Sequence, residues 1–374
     1  MHVITRQFQS ILARRLSESL NFIQVVVGPR QIGKTTGVRS IFDSYPGPKH
    51  FVSADSPVPF SSDWLRTQWS IARGLGPDAL LVIDEVQKVD GWAEVCKRLF
   101  DEHRSKRELK VVLLGSASLS IKDGLASALA GRFELIQVPH WSYAEMREAF
   151  GFDLDTFISF GGYPGAAELL PDFRRWQSYI RDSVIEPVLG RDISGLVRIN
   201  KPALFRQSFR LAMLYPAQII SYQKLLGQLQ DRGNAATVKH YLELFESAFL
   251  LKLIPKFSNS PLAVSKSSPK ILPLAPALCN AFVEGPEMAQ QPTWRGRVFE
   301  SVIGAALLKL PGELFYWSHG NYEVDFVRVC NNEIIAYEVK SKLMERTESI
   351  RQFRKFYPDA KVEIIEPATV AHWL

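Results

Sequence analysis

Short apolar runs alternate with helical stretches over the first third of the chain. The runs are rich in β-branched residues and cover residues 22–27, 51–53, 79–83, 111–114 and 135–138. Between them, residues 35–42 and 92–102 have helical patterns. Near-continuous apolar strands that alternate with helices are typical of a parallel sheet covered on both faces. We therefore expect an α/β domain at the start of the chain.

From residue 153 to about residue 199 the chain has no strand pattern. Residues 153–199 predict helices broken by the Gly-Gly-Tyr-Pro sequence at residues 161–164, and residues 205–254 are also largely helical. Asn234 is a good N-cap for a helix over residues 235–249, because its side chain can accept from a free N–H group of the first turn.

The last part of the chain mixes strands and helices. Residues 258–276 are rich in Ser and Pro and predict a loop or a β-wing, in which Pro273 and Pro276 interrupt any regular element. A final unit is then predicted to contain a helix, a strand, a hairpin, a helix and a strand, at residues 295–310, 314–317, 322–340, 345–356 and 362–365.

Composition narrows the class of protein. The 374 residues are 46% apolar and 22% charged, which excludes an intrinsically disordered chain. The net charge of +6 permits a polyanionic partner without demanding one. Three cysteines without metal-binding spacing indicate free thiols in a reducing compartment. The longest near-apolar stretch, residues 302–308, is much shorter than a membrane span of about 20 residues, and the N-terminus does not resemble a signal peptide. We expect a cytoplasmic protein that does not enter a membrane.

Residues 28–35 read Gly-Pro-Arg-Gln-Ile-Gly-Lys-Thr and fit the phosphate-loop pattern G-x-x-x-x-G-K-[ST] between a strand and a helix. The N–H groups of such a loop and the positive N-terminus of the helix bind a polyanion. We expect Lys34 to reach the β- and γ-phosphates of ATP and the Thr35 hydroxyl to bind Mg²⁺. The residues expected to contact ATP are Gly28, Pro29, Arg30, Gln31, Ile32, Gly33, Lys34, Thr35 and Thr36.

Two acids end the apolar run at residues 80–83 and complement this loop. Asp84 is expected to hold Mg²⁺ beside the phosphate loop, and Glu85 to polarise the attacking water. The alternative is a strand that simply ends in solvated acids.

Other catalytic candidates follow the next apolar run. Ser116 or Ser118 could sense the γ-phosphate or orient water, unless they belong to an ordinary strand-to-loop turn. Arg132 could contact the γ-phosphate in the same or a neighbouring subunit, as an arginine finger does, or it could be a surface or helix-cap residue.

These motifs resemble those of the prokaryotic AAA-type ATPases that carry a C-terminal domain of unknown function. The resemblance covers nearly the whole chain and rests on residues 28–36, 83–87, 114–118, 130–132 and 161–164. One departure is at residues 270–275, where the family usually has an aromatic residue and an Asp leading into a short helix.

The resemblance, together with the element pattern, implies an α/β fold with four parts. These are an AAA-type P-loop ATPase core at residues 1–150, a helical lid at 151–200, a winged-helix-like segment at 201–285, and a small α/β domain like the restriction nucleases at 286–374. Many AAA-type proteins form rings, so a homo-oligomer is one possible assembly.

The winged-helix-like segment would read DNA with the helix that begins at Asn234, through Thr237, Lys239 and His240. The basic wing would contact phosphate through Lys256, Lys266 and Lys270. The alternative is a helical packing module with solvated lysines.

The hairpin at residues 322–340 carries a second constellation. A two-residue Asn331-Asn332 turn pairs residues whose numbers sum to 663, which places Asp325 opposite Glu338, with Lys340 on the same face. Opposed carboxylates destabilise a sheet unless a cation lies between them, and Mg²⁺ suits carboxylate oxygens.

Asp325 and Glu338-Val-Lys340 resemble the PD-(D/E)-x-K nuclease site, and Glu300 takes the place of the helical acid of that superfamily. Two alternatives stay open. The charges could be solvated, with Glu323 and Lys340 as a surface pair, or a nuclease-like fold could persist for binding or assembly without cutting.

The favoured function is Mg²⁺-dependent ATP binding and hydrolysis that drives or gates contact with nucleic acid. A second hypothesis is a nucleotide-switched scaffold that binds a protein partner. A third is an ATP-powered DNA nuclease.

Overall fold

The structure of the protein, a computed structural model, describes residues 4–19, 22–103, 109–116, 128–195, 197–229, 234–260, 264, 267–340 and 347–370. These residues belong to two compact units. The N-terminal unit comprises Val3–His140 and Gly190–Arg198, and the C-terminal unit comprises Trp141–Leu189 and Ile199–Leu374.

The N-terminal unit is built on a five-stranded sheet of order β2-β3-β4-β1-β5 in which every neighbouring pair is parallel. Its strands are β1 Ile23–Gly28, β2 Lys49–Ser53, β3 Ala79–Asp84, β4 Leu109–Ser116 and β5 Phe133–Gln137. Every residue of β1 and β3 is buried, as expected for strands covered on both faces. The predicted α/β class and the predicted strands are confirmed.

In the described part of this unit, four helices accompany the sheet, α1 Gln7–Ser17, α2 Lys34–Ser44, α3 Ser62–Gly74 and α4 Trp92–His103, with a 3-10 turn at Val86–Lys88. The helices predicted at residues 35–42 and 92–102 correspond to α2 and α4. The chain runs from β1 directly into α2, so residues 28–35 lie at the carboxyl end of the central part of the sheet.

The C-terminal unit begins with short helices, α5 Tyr143–Phe150, α6 Leu154–Phe160 and α7 Phe173–Tyr179. A 3-10 helix at Pro164–Leu169 separates α6 from α7, and π-helical turns follow at Ile180–Ile185 and Val188–Ile193. The helical prediction for this stretch and its break at Pro164 agree with the structure.

A three-stranded antiparallel sheet follows, of order β6-β8-β7. Its elements in chain order are α8 Pro202–Met213, β6 Gln218–Ile219, α9 Tyr222–Leu226, α10 Ala235–Ser247, β7 Leu251–Ile254 and β8 Lys270–Pro273. Asn234 caps α10, and its side chain accepts from the Thr237 N–H at 2.7 Å, as predicted.

The prediction that Pro273 and Pro276 interrupt any regular element is wrong. Pro273 is the last residue of β8 and lies opposite Leu251 of β7, beyond Lys270 and Ile271, the two residues of β8 that pair with β6. Pro276 starts the short helix α11 Pro276–Asn280, a position at which proline is favoured.

The rest of the C-terminal unit is a four-stranded mixed sheet of order β12-β11-β10-β9, in which only the β11–β12 pair is parallel. Its elements are α12 Pro286–Gln290, α13 Pro292–Leu307, β9 Glu313–His319, β10 Tyr322–Cys330, β11 Glu333–Val339, α14 Thr347–Phe356 and β12 Lys361–Ile365. Gly304 of α13 packs so closely on Phe326 of β10 that an added Cβ would lie 2.6 Å from the ring. The predicted order of helix, strand, hairpin, helix and strand is confirmed.

The β10–β11 hairpin has the predicted register. Phe326 pairs with Tyr337 and Cys330 with Glu333, so that paired numbers sum to 663. Asn331 and Asn332 have φ values of 49° and 64°, the left-handed conformation that a type I′ turn requires at both positions.

The three cysteines agree with the prediction of free thiols. Cys96, Cys279 and Cys330 are free thiols, and the first two are buried. Among the described residues, the structure contains no helix that is both long enough and apolar enough to span a bilayer.

Candidate functional site

The phosphate loop owes its shape to two glycines. A Cβ at Gly28 would lie 2.3 Å from the Val138 carbonyl oxygen, so only glycine allows this approach of β1 to the chain after β5. Gly33 has φ of 84° and leads directly into α2. The first turn of α2 contains no acidic residue, which leaves its N–H groups and its positive end available to an anion.

Lys34, the first residue of α2, is 8% exposed. Its Nζ donates to the carbonyl oxygens of Gly28 at 2.8 Å and Pro29 at 2.6 Å. Burial lowers the pKa of Lys34 to about 8, although the nearby carboxylates of Glu85 and Asp84 oppose the shift. The ammonium is therefore held inside the loop by neutral acceptors, and a polyphosphate would offer it stronger ones.

The two predicted Mg²⁺ ligands lie together. The Thr35 hydroxyl donates to Asp84 Oδ2 at 2.9 Å, and Asp84 Oδ1 accepts from the Glu85 N–H at 3.0 Å. Asp84 is the last residue of β3, and Thr35 is the second residue of α2, at the end of the phosphate loop. A hydroxyl and a carboxylate are hard oxygen ligands, so this donor pair fits Mg²⁺.

Glu85 has a strained backbone with φ of 54°. Its Oε2 accepts from Gln87 Nε2 at 2.6 Å, which holds the carboxylate in place. Burial raises the pKa of Glu85, Asp84 adds to the increase, and Arg30 and Lys34 oppose it. A carboxylate with a raised pKa is a better proton acceptor.

Arg30 has a partner that the sequence did not indicate. Its guanidinium binds the Asp192 carboxylate through two hydrogen bonds, one of which joins Nη2 to Oδ1 at 2.8 Å. The Asp192 side chain is only 7% exposed. The pair lies beside a cleft of about 810 Å³ whose lining includes Asp55, Gln87, Lys88 and Arg191. Arg191 and Asp192 thereby become part of the surroundings of the phosphate loop.

Arg132 lies at the amino ends of the strands, whereas the phosphate loop lies at their carboxyl ends. In the parallel ladder Phe133 pairs with Ile23, at the start of β1, whereas the phosphate loop follows the end of β1. The strand from Ile23 to Gly28 separates Arg132 from the phosphate loop by roughly 17 Å. The guanidinium binds Asp101 with Nε–Oδ1 and Nη2–Oδ2 distances of 2.7 and 2.8 Å. The prediction that Arg132 contacts the γ-phosphate in its own subunit is therefore wrong. Contact in a neighbouring subunit stays a prediction.

Ser116 ends β4 and lies opposite Gly28 in the ladder, at the edge of the sheet that carries the phosphate loop. The structure does not describe its side chain, and Ser118 lies outside the described residues. Their predicted roles stay predictions.

The C-terminal unit contains a group of acids. Carboxylate oxygens of Glu300, Glu323 and Asp325 lie within 4.8 Å of one another. Glu300 comes from α13 and the other two from β10. The expected pair Glu300 and Asp325 is thus brought together, but the third member of this group is Glu323 rather than Glu338.

Glu338 and Lys340 lie near this group and are also buried. Asp325, Glu338 and Lys340 are 5%, 1% and 9% exposed, so the alternative of solvated surface charges is wrong. Asp325 Oδ2 accepts from the Val339 N–H at 2.8 Å, which ties the acid to β11.

Lys270, the first residue of β8, enters the acidic group. It is 0% exposed, and its Nζ lies 2.6 Å from Glu300 Oε1 and 2.9 Å from Glu323 Oε1. Burial disfavours its charged form, but the three carboxylates outweigh that effect and raise the pKa of Lys270. Burial raises the pKa of Glu300, with a further contribution from Asp325. The prediction that Lys270 contacts nucleic-acid phosphate is therefore wrong, because the side chain is buried and neutralised.

The other predicted DNA contacts have mixed environments. Lys239 and His240 are exposed on α10, where Lys239 forms an ion pair with Glu243 at 3.8 Å. Lys256 is half-buried, and Lys266 lies outside the described residues.

Three family models match consecutive parts of the chain. Residues 21–147 match the model described as an AAA domain. Together with the phosphate loop and the parallel sheet, this match supports an AAA-type ATPase. The N-terminal unit has the P-loop ATPase fold. Residues 151–288 and 295–371 match two models described as domains of unknown function, DUF8612 and DUF4143.

Relatives extend over most of the chain. An uncharacterized protein of Mycobacterium tuberculosis is 29% identical over 344 residues, which are 88% of this chain and 73% of the relative. An uncharacterized protein of Methanocaldococcus jannaschii is 24% identical over 377 residues, with coverage of 92% and 80%.

Similar solved structures include a Walker-type ATPase of Pyrococcus abyssi, with 15% identity, a TM-score of 0.45, and coverage of 75% of this chain and 98% of that chain. The RuvB Holliday junction branch migration motor of Thermotoga maritima has 19% identity, a TM-score of 0.36 and coverage of 66% and 87%. AMPPCP-bound DnaA from Aquifex aeolicus has 14% identity, a TM-score of 0.35 and coverage of 66% and 89%.

Proposed function

We propose that the N-terminal unit binds ATP with Mg²⁺ and hydrolyses it. The observation that carries this proposal is the hydrogen bond between Thr35 and Asp84 beside Lys34. A phosphate loop, a lysine and two metal-binding oxygen groups are the parts that P-loop ATPases use to hold a triphosphate. Bound Mg²⁺ would neutralise charge on the phosphates, with Thr35 and Asp84 as its protein ligands.

The residues of the chain have distinct roles in this proposal. The N–H groups of residues 28–35 and the N-terminus of α2 bind the phosphates, and Lys34 exchanges its contacts with loop carbonyls for phosphate oxygens. Glu85 accepts a proton from the water that attacks the γ-phosphorus, and the bond from that phosphorus to the ADP oxygen breaks. Gln87 positions Glu85 through their 2.6 Å hydrogen bond.

We further propose that nucleic acid is the partner of the C-terminal unit. The order helix, strand, helix, helix, strand, strand, in α8, β6, α9, α10, β7 and β8, supports a winged helix. The exposed Lys239 and His240 on α10 lie early in the helix that would contact DNA. The order of α13, β9, β10, β11, α14 and β12 supports a nuclease-like fold for the remainder.

The ATPase rate tests both proposals. It should be measured without nucleic acid and with single-stranded, duplex and branched DNA. Hydrolysis that requires Lys34 supports the first proposal, and its stimulation by one form of DNA supports the second. Hydrolysis that no DNA changes would favour a nucleotide-switched scaffold with a protein partner.

The contact with DNA can be tested separately by measuring DNA affinity as a function of salt. Replacement of Lys239 by Ala should weaken binding and reduce the salt dependence by about one phosphate contact. The matched control is Lys97→Ala, which changes a partly exposed lysine of the N-terminal unit that is also near a glutamate. Equal losses in the two variants would contradict a DNA-reading role for α10.

A further inference from the structure

Lys270 is placed in the interior by the strand that carries it. β8 is the central strand of the three-stranded sheet, and Lys270 lies between Ile219 of β6 and Ile254 of β7. Its side chain is completely buried. Lysine is almost never fully buried unless its charge is paired, so its surroundings must supply the compensation.

The acidic group supplies that compensation completely. The ammonium has three N–H bonds, and three acceptors surround it. They are Glu300 Oε1 at 2.6 Å, Glu323 Oε1 at 2.9 Å and the Asp325 carbonyl oxygen at 3.1 Å. The face of the Phe326 ring lies 5.1 Å away and adds a cation–π contact.

The same oxygens are the ones that a divalent cation would need. Mg²⁺ binds oxygen at about 2.1 Å and requires several oxygens around one centre. In this structure the Lys270 nitrogen lies between the Glu300 and Glu323 oxygens and 4.0 Å from Asp325 Oδ1. A metal ion between these carboxylates would collide with the ammonium and be repelled by its charge.

We propose that the Lys270 ammonium is the resident cation of this acidic group and takes the place of a divalent metal ion. The nuclease-like domain then holds no metal ion at this acidic group and does not cleave nucleic acid with a metal ion bound there. The first statement depends only on the contacts of Lys270, whereas the second also rests on the proposed nuclease-like fold.

Removal of the Lys270 charge leaves Glu300, Glu323 and Asp325 facing one another without a cation. Their mutual repulsion then favours Mn²⁺ or Mg²⁺ over an empty site, so the Lys270→Met variant becomes a metal-binding protein.

The experiment measures Mn²⁺ binding without nucleotide, from the loss of the electron paramagnetic resonance signal of free Mn²⁺. All samples carry Asp84→Asn, so that the ATP site lacks the carboxylate proposed to bind its metal ion and the result is independent of ATP hydrolysis. Lys270→Met should bind one Mn²⁺ at least about tenfold more tightly than the protein that keeps Lys270, a difference of about 1.4 kcal/mol. Mn²⁺ should also raise its melting temperature.

Two controls accompany this variant. Lys252→Met removes a lysine of the adjacent strand β7, whose partner is Glu246 at 2.6 Å, and should create no Mn²⁺ site. Adding Asp325→Asn to Lys270→Met should abolish the new site, because one of its ligands is lost.

Three results would overturn the proposal. The first is a Mn²⁺ site in the protein that keeps Lys270, if this site is lost when Asp325→Asn is added. The second is a folded Lys270→Met variant that binds no Mn²⁺. The third is metal-dependent DNA cleavage by the full chain that Asp325→Asn removes. If Lys270→Met does not fold, Mn²⁺ binding by the protein that keeps Lys270 decides: no site supports the proposal, and a site that requires Asp325 contradicts it.

Discussion

The Thr35 hydroxyl donates a 2.9 Å hydrogen bond to the Asp84 carboxylate. The two residues are 49 positions apart and come from a helix N-terminus and a strand C-terminus. A parallel sheet brings these ends to one edge, so the metal ligands and the phosphate loop are assembled by the fold itself.

Replacement of Lys34 by Ala should sharply reduce ATP affinity. The substitution removes a charge-assisted interaction with the β- and γ-phosphates and leaves the loop carbonyls of Gly28 and Pro29 without their donor. Isothermal titration calorimetry with ATP and Mg²⁺ measures the loss. Lys97→Ala, at a partly exposed lysine on α4, should bind ATP normally, and equal affinities of wild type and Lys34→Ala would refute the phosphate-loop assignment.

ATP binding should be accompanied by proton uptake above about pH 8. The pKa of Lys34 is about 8 in the unliganded protein, and a bound polyphosphate favours the ammonium and raises it. Uptake is measured by calorimetry at pH 8–9 in buffers that differ in ionisation enthalpy. Lys34→Arg is the control, since arginine stays protonated, and a binding enthalpy of the wild type that is the same in every buffer would contradict the prediction.

The same shift predicts a pH dependence of stability. The folded-state pKa of Lys34, about 8, is below its ordinary value of 10.5, so the unfolded chain binds more protons between these values. The free energy of unfolding therefore gains a stabilising contribution from Lys34 as the pH rises from about 8 to 10.5, and the burial penalty is fully present below pH 8. Denaturant unfolding of wild type and Lys34→Met at several pH values isolates this contribution. If the free energies of unfolding of the two proteins differ by the same amount throughout this pH range, Lys34 makes no such contribution.

Replacement of Glu85 by Gln should separate ATP binding from hydrolysis. The amide keeps the shape of the side chain but cannot accept a proton, whereas Thr35 and Asp84 are unchanged. We expect ATP to bind and its turnover to fall by about 10²–10⁴-fold. Turnover is followed by phosphate release, with Glu94→Gln, at an exposed acid of α4, as the control. A variant with wild-type turnover would remove Glu85 from the catalytic role.

The Arg30–Asp192 pair should stabilise the N-terminal unit. Either Arg30→Met or Asp192→Asn leaves one largely buried partner without its counter-charge, and we expect each to lower the free energy of unfolding by about 1–3 kcal/mol. A double-mutant cycle with urea unfolding isolates the energy of the pair. Additive effects of the two substitutions would show that the contact contributes nothing.

The strands, the phosphate loop and the hairpin could be predicted because their information is local. A glycine-rich loop between a buried strand and a helix specifies the surroundings of Lys34 within a few residues. The pairing of Phe326 with Tyr337 follows from a two-residue turn, because alternation along a strand leaves a single register once the turn is known.

Only the tertiary structure decided the partners of Arg30 and Lys270 and the position of Arg132. Asp192 is 162 residues from Arg30 along the chain, and no local pattern pairs them. Lys270 begins a short strand in a segment rich in Ser and Pro. The local sequence there does not distinguish a solvated lysine from a buried one. Its environment depends on α13 and β10, which pack around it from later in the chain. Local propensities and turn geometry thus determine which elements form, whereas the burial of a charge depends on which distant elements surround it.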